Sequence, residues 1–492
     1  MKTIFLAAGA ALCLLSVTSC SNDGIENPDL QSGPKVLMTM QTTGPSTRAD
    51  YTDAGTSMAF SWRSGDEMSV VVSGVAGNDN CQLTSNSDGK SVPFSGSVTG
   101  FSGTQNIYAF YPYSSHGYTV TGSSTPSTAT AALTLPNPQS YTVNGALSNS
   151  FMVGVGTATA SGTAIDASAS LKQVMSIIRL NISNAPAKVI GVKLRLAEAL
   201  FPTTATVRLS DATISNPGSF ANKLSMAVTD GTAGTSKDVS LAMFPVDLTG
   251  KTISVEVTFE GGLIKSIDKP GLAFVANKFY VISFDGSNAV AANYIEPDGF
   301  GRGLEWAVGN LVADGAGARI GSSTDNGLYF QFGSLVGWSD TGAPTVAISP
   351  SGYSGPTTWT PNWTGDPTTE DVSTGTGDAC TYYLGNGWRL PTNDEYSSLF
   401  NHTTSGWAGT IGWSWSSASA VHTSGLRFPA SGYRLYTDGS LAYTGANGYC
   451  WSSSPNNASN GYTLYFGSSN VRPSYNGFRA VGYPVRCVRA NN

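Results

Sequence analysis

Side chains that commonly carry catalysis are scarce in this chain, which has three histidines among 492 residues. His116, His402 and His422 lack a partner at the spacing that metal sites and nucleophile-activating motifs require. His402 follows the last turn of a predicted helix, where the helix dipole favours a cation, so a structural role accounts for it. The motifs Gly-x-Ser-x-Gly and His-Glu-x-x-His and a P-loop do not occur. The sequence therefore predicts a protein that is not an enzyme, with no catalytic residues, no metal and no cofactor.

Cysteine chemistry is predicted near the N-terminus instead. Residues 4–17 are almost wholly apolar after a short positive start, and such a run is too short to span a bilayer. Small residues at 17–19 stand directly before Cys20, which is similar to a bacterial lipoprotein signal. We predict that residues 1–19 are a lipoprotein signal peptide and that Cys20 carries lipid (palmitate) in the outer membrane. A plain signal peptide cut elsewhere, with Cys20 incidental, is the alternative.

Composition limits the partners and divides the chain. Charged residues make up 12%, against about a quarter in an ordinary soluble domain. The net charge of −6 includes no basic cluster, which argues against nucleic acid as a partner. Every lysine lies before residue 290, whereas nine of the ten tryptophans lie after it, the exception being Trp62. We therefore predict two regions of different fold, joined by the polar stretch 285–298.

Before residue 290 the pattern is that of a mainly β fold. Val36, Met38 and Met40 alternate with more polar residues and would share one face of a first strand. Further strands are predicted at 60–62, 68–72, 107–111, 174–182, 253–259 and 279–284. Turn residues separate these segments at the intervals that are typical of β-sandwiches.

After residue 290 one helix stands out among short strands and Gly/Ser-rich loops. Thr392 and Glu395 form a capping box, in which each side chain satisfies a free amide of the first turn. Tyr396, Leu399 and Phe400 follow at helical spacing and give one buried face. This region is therefore predicted to be α+β.

The region before residue 290 resembles the fimbrillin-like proteins of Bacteroides-type bacteria, over about residues 30–285. The order and spacing of short motifs carry the resemblance: Thr47-Arg48-Ala49, Trp62-Arg63-Ser64-Gly65-Asp66, Phe94-Ser95-Gly96, Tyr108-Ala109-Phe110-Tyr111-Pro112 and a later strand at 171–182. The resemblance implies two consecutive β-sandwiches, at residues 49–169 and 170–289. A lipidated leader at residues 20–48, with a removable first strand, would precede them.

The region after residue 290 resembles the Fibrobacter succinogenes major paralogous domain, a relative of C-type-lectin-like folds. The motifs are Leu304-Glu305-Trp306-Ala307-Val308-Gly309-Asn310-Leu311, Gly387-Trp388-Arg389-Leu390-Pro391-Thr392, Trp451-Ser452-Ser453 and Val485-Arg486-Cys487-Val488. The resemblance implies a lectin-like α+β domain over residues 290–492. It also implies a disulfide between Cys380 and Cys487, because that family tends to have cysteines at these two places. Cys450 in place of either partner is the alternative.

Fimbrillin-like proteins polymerise into pili by donor-strand exchange, and the leader has residues suited to that process. Arg48-Ala49 lies in a polar segment after the first strand, where an arginine-specific protease would cut an exposed loop. Cleavage would release the lipid together with Val36, Met38 and Met40, and the opened sheet would pair with a strand of another pilus subunit. The alternative is that Arg48 is an ordinary loop arginine and that the strand stays.

The C-terminal region predicts where such a subunit would sit. It stands in the place of the C-terminal donor strand, so we predict a pilus tip adhesin whose last domain binds a glycan or a protein. Trp413 and Trp415 would lie on the same face of a strand, where exposed rings can stack on sugars. Aromatic side chains are also common in cores, and we predict burial for Trp388 and Trp451.

Other functions stay open at this point. The first is a permanently lipidated, non-polymerising surface protein that binds glycans, for which processing at Arg48 has no use. A distant alternative is an oxidase of the formylglycine-generating type, which shares the lectin-like scaffold and needs two close thiols, such as Cys450 and Cys487. One loop could bind calcium, whose oxygen ligands tolerate irregular spacing, through Asp366, Glu370, Asp371 and Asp378. A loop of this kind is more often simply solvated.

Overall fold

The computed structural model describes residues 35–43, 49–50, 62–89, 91–141, 150–229, 236–401 and 407–491. Cys20, Arg48 and His402, on which predictions were made, lie outside the described residues, as do residues 60–61 of one predicted strand. The fold is mainly β, as predicted, with 40 strands and two α-helices among the described residues.

Seven of the first eleven strands close into a barrel, in the order β1-β11-β10-β6-β3-β4-β5 with β5 returning to β1. Alternating apolar residues face the barrel core: in β11, Ile165, Ala167 and Ala169 point inward. Gly156 of β10 has to be a glycine, because a Cβ there would come within 1.8 Å of the Ser168 carbonyl oxygen. The eleven strands are β1 (Lys35–Thr43), β2 (Ala49–Asp50), β3 (Glu67–Val72), β4 (Cys81–Ser85), β5 (Pro93–Thr99), β6 (Thr104–Tyr111), β7 (Val120–Thr121), β8 (Thr130–Thr134), β9 (Gln139–Tyr141), β10 (Met152–Ser161) and β11 (Ala164–Gln173).

Strand β1 is paired with a neighbouring strand on each side within the barrel. It pairs in parallel with β11, from Leu37 opposite Ala164 onward, and antiparallel with β5, from Lys35 opposite Thr99 onward. Met38 and Met40 have no exposed surface, whereas Leu37, the residue before Met38, is 57% exposed. The predicted alternation along this strand is therefore confirmed.

The barrel is the first unit of the fold. A second unit, formed mainly by the strands after β11, contains four sheets around one large apolar core. Two sheets are built mainly from later strands, in the orders β17-β12-β22-β2 and β23-β20-β19-β13-β16-β9, and β8 pairs with β14 in a third. The strands are β12 (Ser176–Ser183), β13 (Val189–Arg195), β14 (Phe201–Arg208), β15 (Ile214–Ala221), β16 (Lys223–Val228), β17 (Ser236–Met243), β18 (Val246–Asp247), β19 (Thr252–Phe259), β20 (Ile264–Pro270), β21 (Ala273–Phe274), β22 (Lys278–Asp285) and β23 (Val290–Ala291).

The chain contributes strands to the second unit before it forms the last two strands of the barrel. β8 and β9 precede β10 and β11 in sequence, yet they pair with β14 and β16, and β2 pairs with β22. The boundary predicted at residue 170 stays a prediction. We propose that segment 120–141 belongs to the second unit. Its strands are hydrogen-bonded to strands of that unit, and its Ala131 and Leu133 are buried in that unit's core.

The C-terminal module combines short strands with two helices, α1 (Ala379–Leu384) and α2 (Asn393–Phe400), and a 3₁₀ turn at Trp407–Gly409. The predicted capping box at α2 is present: Thr392 accepts from the Glu395 amide, and the Glu395 carboxylate accepts from the Thr392 amide. Helix α1 was not predicted; Asp378 caps it. The strands are β24 (Tyr294–Ile295), β25 (Leu304–Ala307), β26 (Leu311–Asp314), β27 (Gly317–Ile320), β28 (Tyr329–Phe330), β29 (Gly337–Trp338), β30 (Val346–Ile348), β31 (Trp413–Trp415), β32 (Ser419–His422), β33 (Arg427–Pro429), β34 (Tyr433–Arg434), β35 (Leu441–Ala442), β36 (Asn447–Pro455), β37 (Asn460–Gly467), β38 (Val471–Phe478), β39 (Tyr483–Pro484) and β40 (Val488–Ala490).

Aromatic rings form the core of this module. Trp388 and Trp451 are buried, as predicted. Trp451 donates its indole N–H to the Phe330 carbonyl at 2.8 Å, so its one polar atom is satisfied inside the core. The apolar face of α2, with Tyr396 and Phe400, packs against Trp306 and Phe428.

The alternation along β1 predicts unequal effects of two truncations. Met40→Ala should lower the free energy of unfolding of the barrel by about 2–5 kcal/mol, because a buried side chain leaves a cavity. Leu37→Ala, the matched control on the outer face, should change it by less than about 0.5 kcal/mol. Native-state hydrogen exchange of the β5 and β11 amides measures both. Equal losses in the two variants would contradict this placement of β1.

Candidate functional site

Strand β1 fills a groove between β5 and β11 with side chains and with hydrogen bonds. Met38 and Met40 lie in one core cluster with Trp62 and Phe94. The Thr42 hydroxyl donates to the Val92 carbonyl at 3.1 Å. Taking β1 away would leave the facing backbone edges of two strands and the apolar floor between them without a partner.

The next described segment after β1 lies outside the barrel. The backbone of Ala49 and Asp50 pairs in parallel with Lys278 and Phe279 of β22, which belongs to the second unit. Arg48 lies between these two attachments and outside the described residues. A cut after Arg48 would therefore leave Ala49 paired with β22 in the second unit, while β1 would be held by its barrel pairing alone.

Several covalent and non-covalent contacts hold the C-terminal strand in place. Cys380 and Cys487 form a disulfide with an S–S distance of 2.01 Å, the pairing that the family resemblance implies. β40 pairs with β25, and the buried Arg486 donates to the Ala307 carbonyl at 2.8 Å. Its guanidinium also lies 4.4 Å from the Phe428 ring centre. These contacts hold residues 486–490 inside the module.

Buried ion pairs join the second unit to the C-terminal module; we call this cluster the charged joint. Glu305 of β25 has no exposed side-chain surface and contacts three cations. Lys193 Nζ lies 3.4 Å and Arg195 Nη2 2.5 Å from its Oε1, and Arg489 Nε lies 2.5 Å from its Oε2. The other members are Glu256, Glu296 and Lys223, in contact with Arg195, Lys193 and Asn491 respectively.

Two shifted pKa values describe the electrostatics of the charged joint. Burial alone would raise the pKa of Glu305, but Arg195, Arg489 and Lys193 hold it down at about 2. Burial, followed by repulsion from Lys193, lowers the pKa of Lys223 to about 8. The carboxylate is therefore firmly ionised at neutral pH, and the cations around it slightly outnumber the carboxylates.

The two tryptophans predicted to bind a ligand are placed differently from each other. Trp413 is only 6% exposed and stacks on Phe400 at 4.1 Å between ring centres. Its indole N–H donates to the Leu399 carbonyl at 3.0 Å. No ring face of Trp413 is therefore free for a sugar, which corrects the prediction for this residue. Trp415 is half-buried beside Phe466.

A more exposed aromatic pair was missed in the sequence. Tyr436 and Phe478 are 45% and 59% exposed, and their ring centres lie 5.8 Å apart. Asn476, two residues before Phe478 on the same face of β38, accepts a hydrogen bond at 2.9 Å from the Asn456 side chain. Alternation along β38 was the available signal, since residues 472, 474, 476 and 478 all point outward.

Three of the four acidic loop residues have partners within the protein. Asp378 accepts from the Thr381 and Leu390 amides at 3.0 and 2.7 Å, and Asp371 accepts from Ser373. Asp366 pairs with Arg479 at 3.1 Å. Among the described residues no three metal-ligand side chains form a cluster.

The thiol pair needed for the oxidase alternative is not available. The Cys487 sulfur is bonded to Cys380. Cys450 is a free, buried cysteine, and burial raises the pKa of its thiol to about 12. A thiol with that pKa is almost wholly protonated at neutral pH and is a poor nucleophile.

Two family models match parts of the chain. A family model described as fimbrillin-like matches residues 47–293, just over half of the chain. A second model, described as a domain of unknown function (DUF8237), matches residues 413–488. No curated protein matches the chain.

Similar solved structures include two from Bacteroides ovatus and one from Porphyromonas gingivalis. A candidate cell adhesion protein from Bacteroides ovatus is 17% identical, with a TM-score of 0.33, over 52% of this chain and 94% of that one. A fimbrial protein from the same species is 12% identical, with a TM-score of 0.27, over 94% of this chain and 99% of that one. The tip fimbrial protein Mfa3 from Porphyromonas gingivalis, truncated at its C-terminus, is 14% identical, with a TM-score of 0.27, over 51% of this chain and 94% of that one.

The chain belongs to the fimbrillin-like family. Membership of a family of fimbrial proteins implies a cell-surface appendage and association with other pilus subunits. In the part of the chain that the structure describes, no helix has the length and apolar character needed to cross a membrane.

The charged joint predicts a pH-dependent contribution to stability. Glu305→Gln should lower the free energy of unfolding at pH 7 by about 3 kcal/mol, because three buried cations lose their carboxylate. The pKa of Glu305 is lowered in the folded protein to about 2 from 4.5. The decrease in the free energy of unfolding should therefore have its full size above pH 4.5 and should become smaller as the pH falls towards 2. Urea denaturation at pH 7 and pH 3 measures it.

Glu198→Gln is the matched control for this change. The Glu198 carboxylate pairs with Lys251 at 3.0 Å but is 61% exposed, so its loss should cost less than about 1 kcal/mol. Similar effects of the two variants, or an effect of Glu305→Gln that does not depend on pH, would contradict the assignment.

Proposed function

We propose that this protein is a cell-surface pilus subunit that becomes a tip adhesin after its lipidated leader is cleaved. Acylated Cys20 would hold the precursor in the outer membrane, and cleavage between Arg48 and Ala49 would release it with loss of β1. Another subunit would then supply a strand to the open barrel. The C-terminal module, for which we retain the lectin-like assignment, would contact a glycan or a protein.

The position of β1 carries this proposal. The strand completes two ladders at once and buries Met38 and Met40, yet its connection to the rest of the chain passes through the proposed cleavage site. Loss of β1 would expose two unpaired strand edges with an apolar floor. Such edges favour pairing with another strand, in which main-chain hydrogen bonds supply affinity and inward side chains supply specificity.

The arrangement of residues 486–490 supports a place at the tip. A shaft subunit has to donate a strand as well as accept one. Here β40 pairs with β25, the neighbouring Cys487 is bonded to Cys380, and Arg489 is paired with the buried Glu305. Releasing residues 486–490 would require breaking the Cys380–Cys487 bond and would leave a buried carboxylate short of a cation, so this segment is a poor donor. A subunit that accepts a strand and donates none ends the polymer.

The surface of the C-terminal module supports contact with a target. Tyr436 and Phe478 form an exposed aromatic pair beside the Asn456–Asn476 amides. Aromatic faces with nearby amides suit sugars, which have apolar faces and hydroxyl edges. A non-polymerising glycan-binding lipoprotein would use the same surface; it differs from the tip adhesin in keeping β1.

The mature N-terminus separates these two functions. Mass spectrometry of outer-membrane and sheared-pilus fractions should find Ala49 as the N-terminus in the sheared material. Arg48→Ala should abolish that product and keep acylated Cys20 in the membrane. Arg63→Ala, an exposed arginine in the next described segment, is the control and should be processed normally. Acylated Cys20 in membranes alone, with no Ala49 product from the unaltered protein, would contradict the proposal.

Strand exchange predicts a matching preference for peptides. Protein cleaved after Arg48 and freed of its leader should bind a synthetic peptide of residues 35–43, because the peptide restores both ladders and refills the core. Met38→Asp with Met40→Asp in the peptide should reduce binding at least tenfold. Leu37→Asp with Gln41→Asp, on the exposed face, should leave it nearly unchanged. Fluorescence anisotropy measures the affinities; equal binding of both altered peptides would contradict a groove of this polarity.

A further inference from the structure

A cavity of about 450 Å³ lies beside the charged joint, between the second unit and the C-terminal module. β13 and β19 of the second unit supply Arg195 and Ser254, and the C-terminal module supplies Arg489 and the turn that follows α1, with Asn386. Its volume lies within the range of about 300–1,000 Å³ that is typical of small-molecule sites.

The two arginines present unused hydrogen-bond donors there. Their side chains are only 12% and 13% exposed. Among the described residues, no hydrogen bond uses Nη1 of Arg195 or either Nη atom of Arg489, whose one bond is from Nε to Glu305. These atoms are also absent from the buried polar atoms without a partner in the described residues, so solvent in the cavity reaches them.

The Arg489 guanidinium is held in place before any ligand arrives. Its carbon lies 4.5 Å from the Trp388 ring centre and 5.0 Å from that of Tyr294, and Glu305 fixes its Nε edge. A planar guanidinium fixed on one edge offers its other N–H groups as a rigid fork. This geometry favours a carboxylate, which accepts two parallel hydrogen bonds.

The charge around the cavity also favours an anion. The charged joint holds three carboxylates, on Glu256, Glu296 and Glu305, and four basic side chains, which are Lys193, Arg195, Lys223 and Arg489. Among the described residues, none of those that line the cavity is acidic. An added carboxylate would balance the extra positive charge in a region that is poorly solvated.

The remaining wall is suited to hydroxyl groups. Asn222, Asn386, Thr252 and Ser254 offer amides and hydroxyls, and Leu196 and Ala197 add a small apolar surface. A simple inorganic anion would leave most of these groups unused.

We propose that this cavity binds a carboxylated sugar unit, with its carboxylate on the free edges of Arg195 and Arg489 and its hydroxyls on the amides and hydroxyls of the wall. Hexuronic and sialic acids share this chemistry. The site is distinct from the strand groove, since none of its residues belongs to the barrel. It can therefore be tested whether or not the leader is cleaved.

Isothermal titration calorimetry on the purified protein, at constant ionic strength, tests the proposal with four probes: D-glucuronate, N-acetylneuraminate, D-glucose and acetate. At least one of the two acidic sugars should bind saturably, at least ten times more tightly than D-glucose and acetate. The arm that binds identifies the kind of acid. No saturable binding of either acidic sugar, or equal binding of D-glucose or acetate, would overturn the proposal.

Asn386→Asp locates the site without disturbing the buried pairs. The residue is exposed with a φ of 49°, a left-handed conformation that aspartate tolerates, and the new carboxylate would compete for the arginines. Affinity for the acidic sugar should fall at least tenfold. Asn401→Asp, at an exposed asparagine with a φ of 41°, is the matched control and should stay within twofold. Equal affinities of the two variants would overturn the proposal.

Discussion

The burial of one carboxylate, Glu305, constrains how the C-terminal module is attached. An ionised side chain with no exposed surface is stable only where cations replace its lost hydration. Lys193 and Arg195 come from the second unit, and Arg489 from the last strand of the module. Separating the units would remove two of these cations, and withdrawing the last strand would remove the third. The same interaction fixes the module, holds the C-terminal strand and shapes the cavity beside it.

The two ends of the described chain differ in how they are held. β1 is held by backbone ladders and apolar side chains, which a strand of similar pattern can replace. β40 is held by a neighbouring disulfide and by buried charge, which no incoming strand reproduces. This asymmetry is the physical basis for proposing a subunit that accepts a strand and donates none.

Local sequence patterns predicted a helix or a strand correctly where the residues of that element alone determine its structure. Alternation identified the inward face of β1, and the Thr392 capping box identified α2. Helix α1 was missed because it is six residues long and has no apolar periodicity. Trp413 was assigned to a ligand because alternation gives the face of a residue but not what covers that face; in the folded protein Phe400 covers it.

The sequence by itself determined the mainly β class, the membership implied by its motifs and the two regions with different compositions, because these depend on residue types and short spacings. Only the tertiary structure decided that β8 and β9 pair with β14 and β16, that β1 closes a barrel and that Glu305 gathers cations from two units. These features join residues that are more than 50 positions apart. Their partners are selected by packing and by the cost of burying charge, neither of which leaves a periodic signal in the chain.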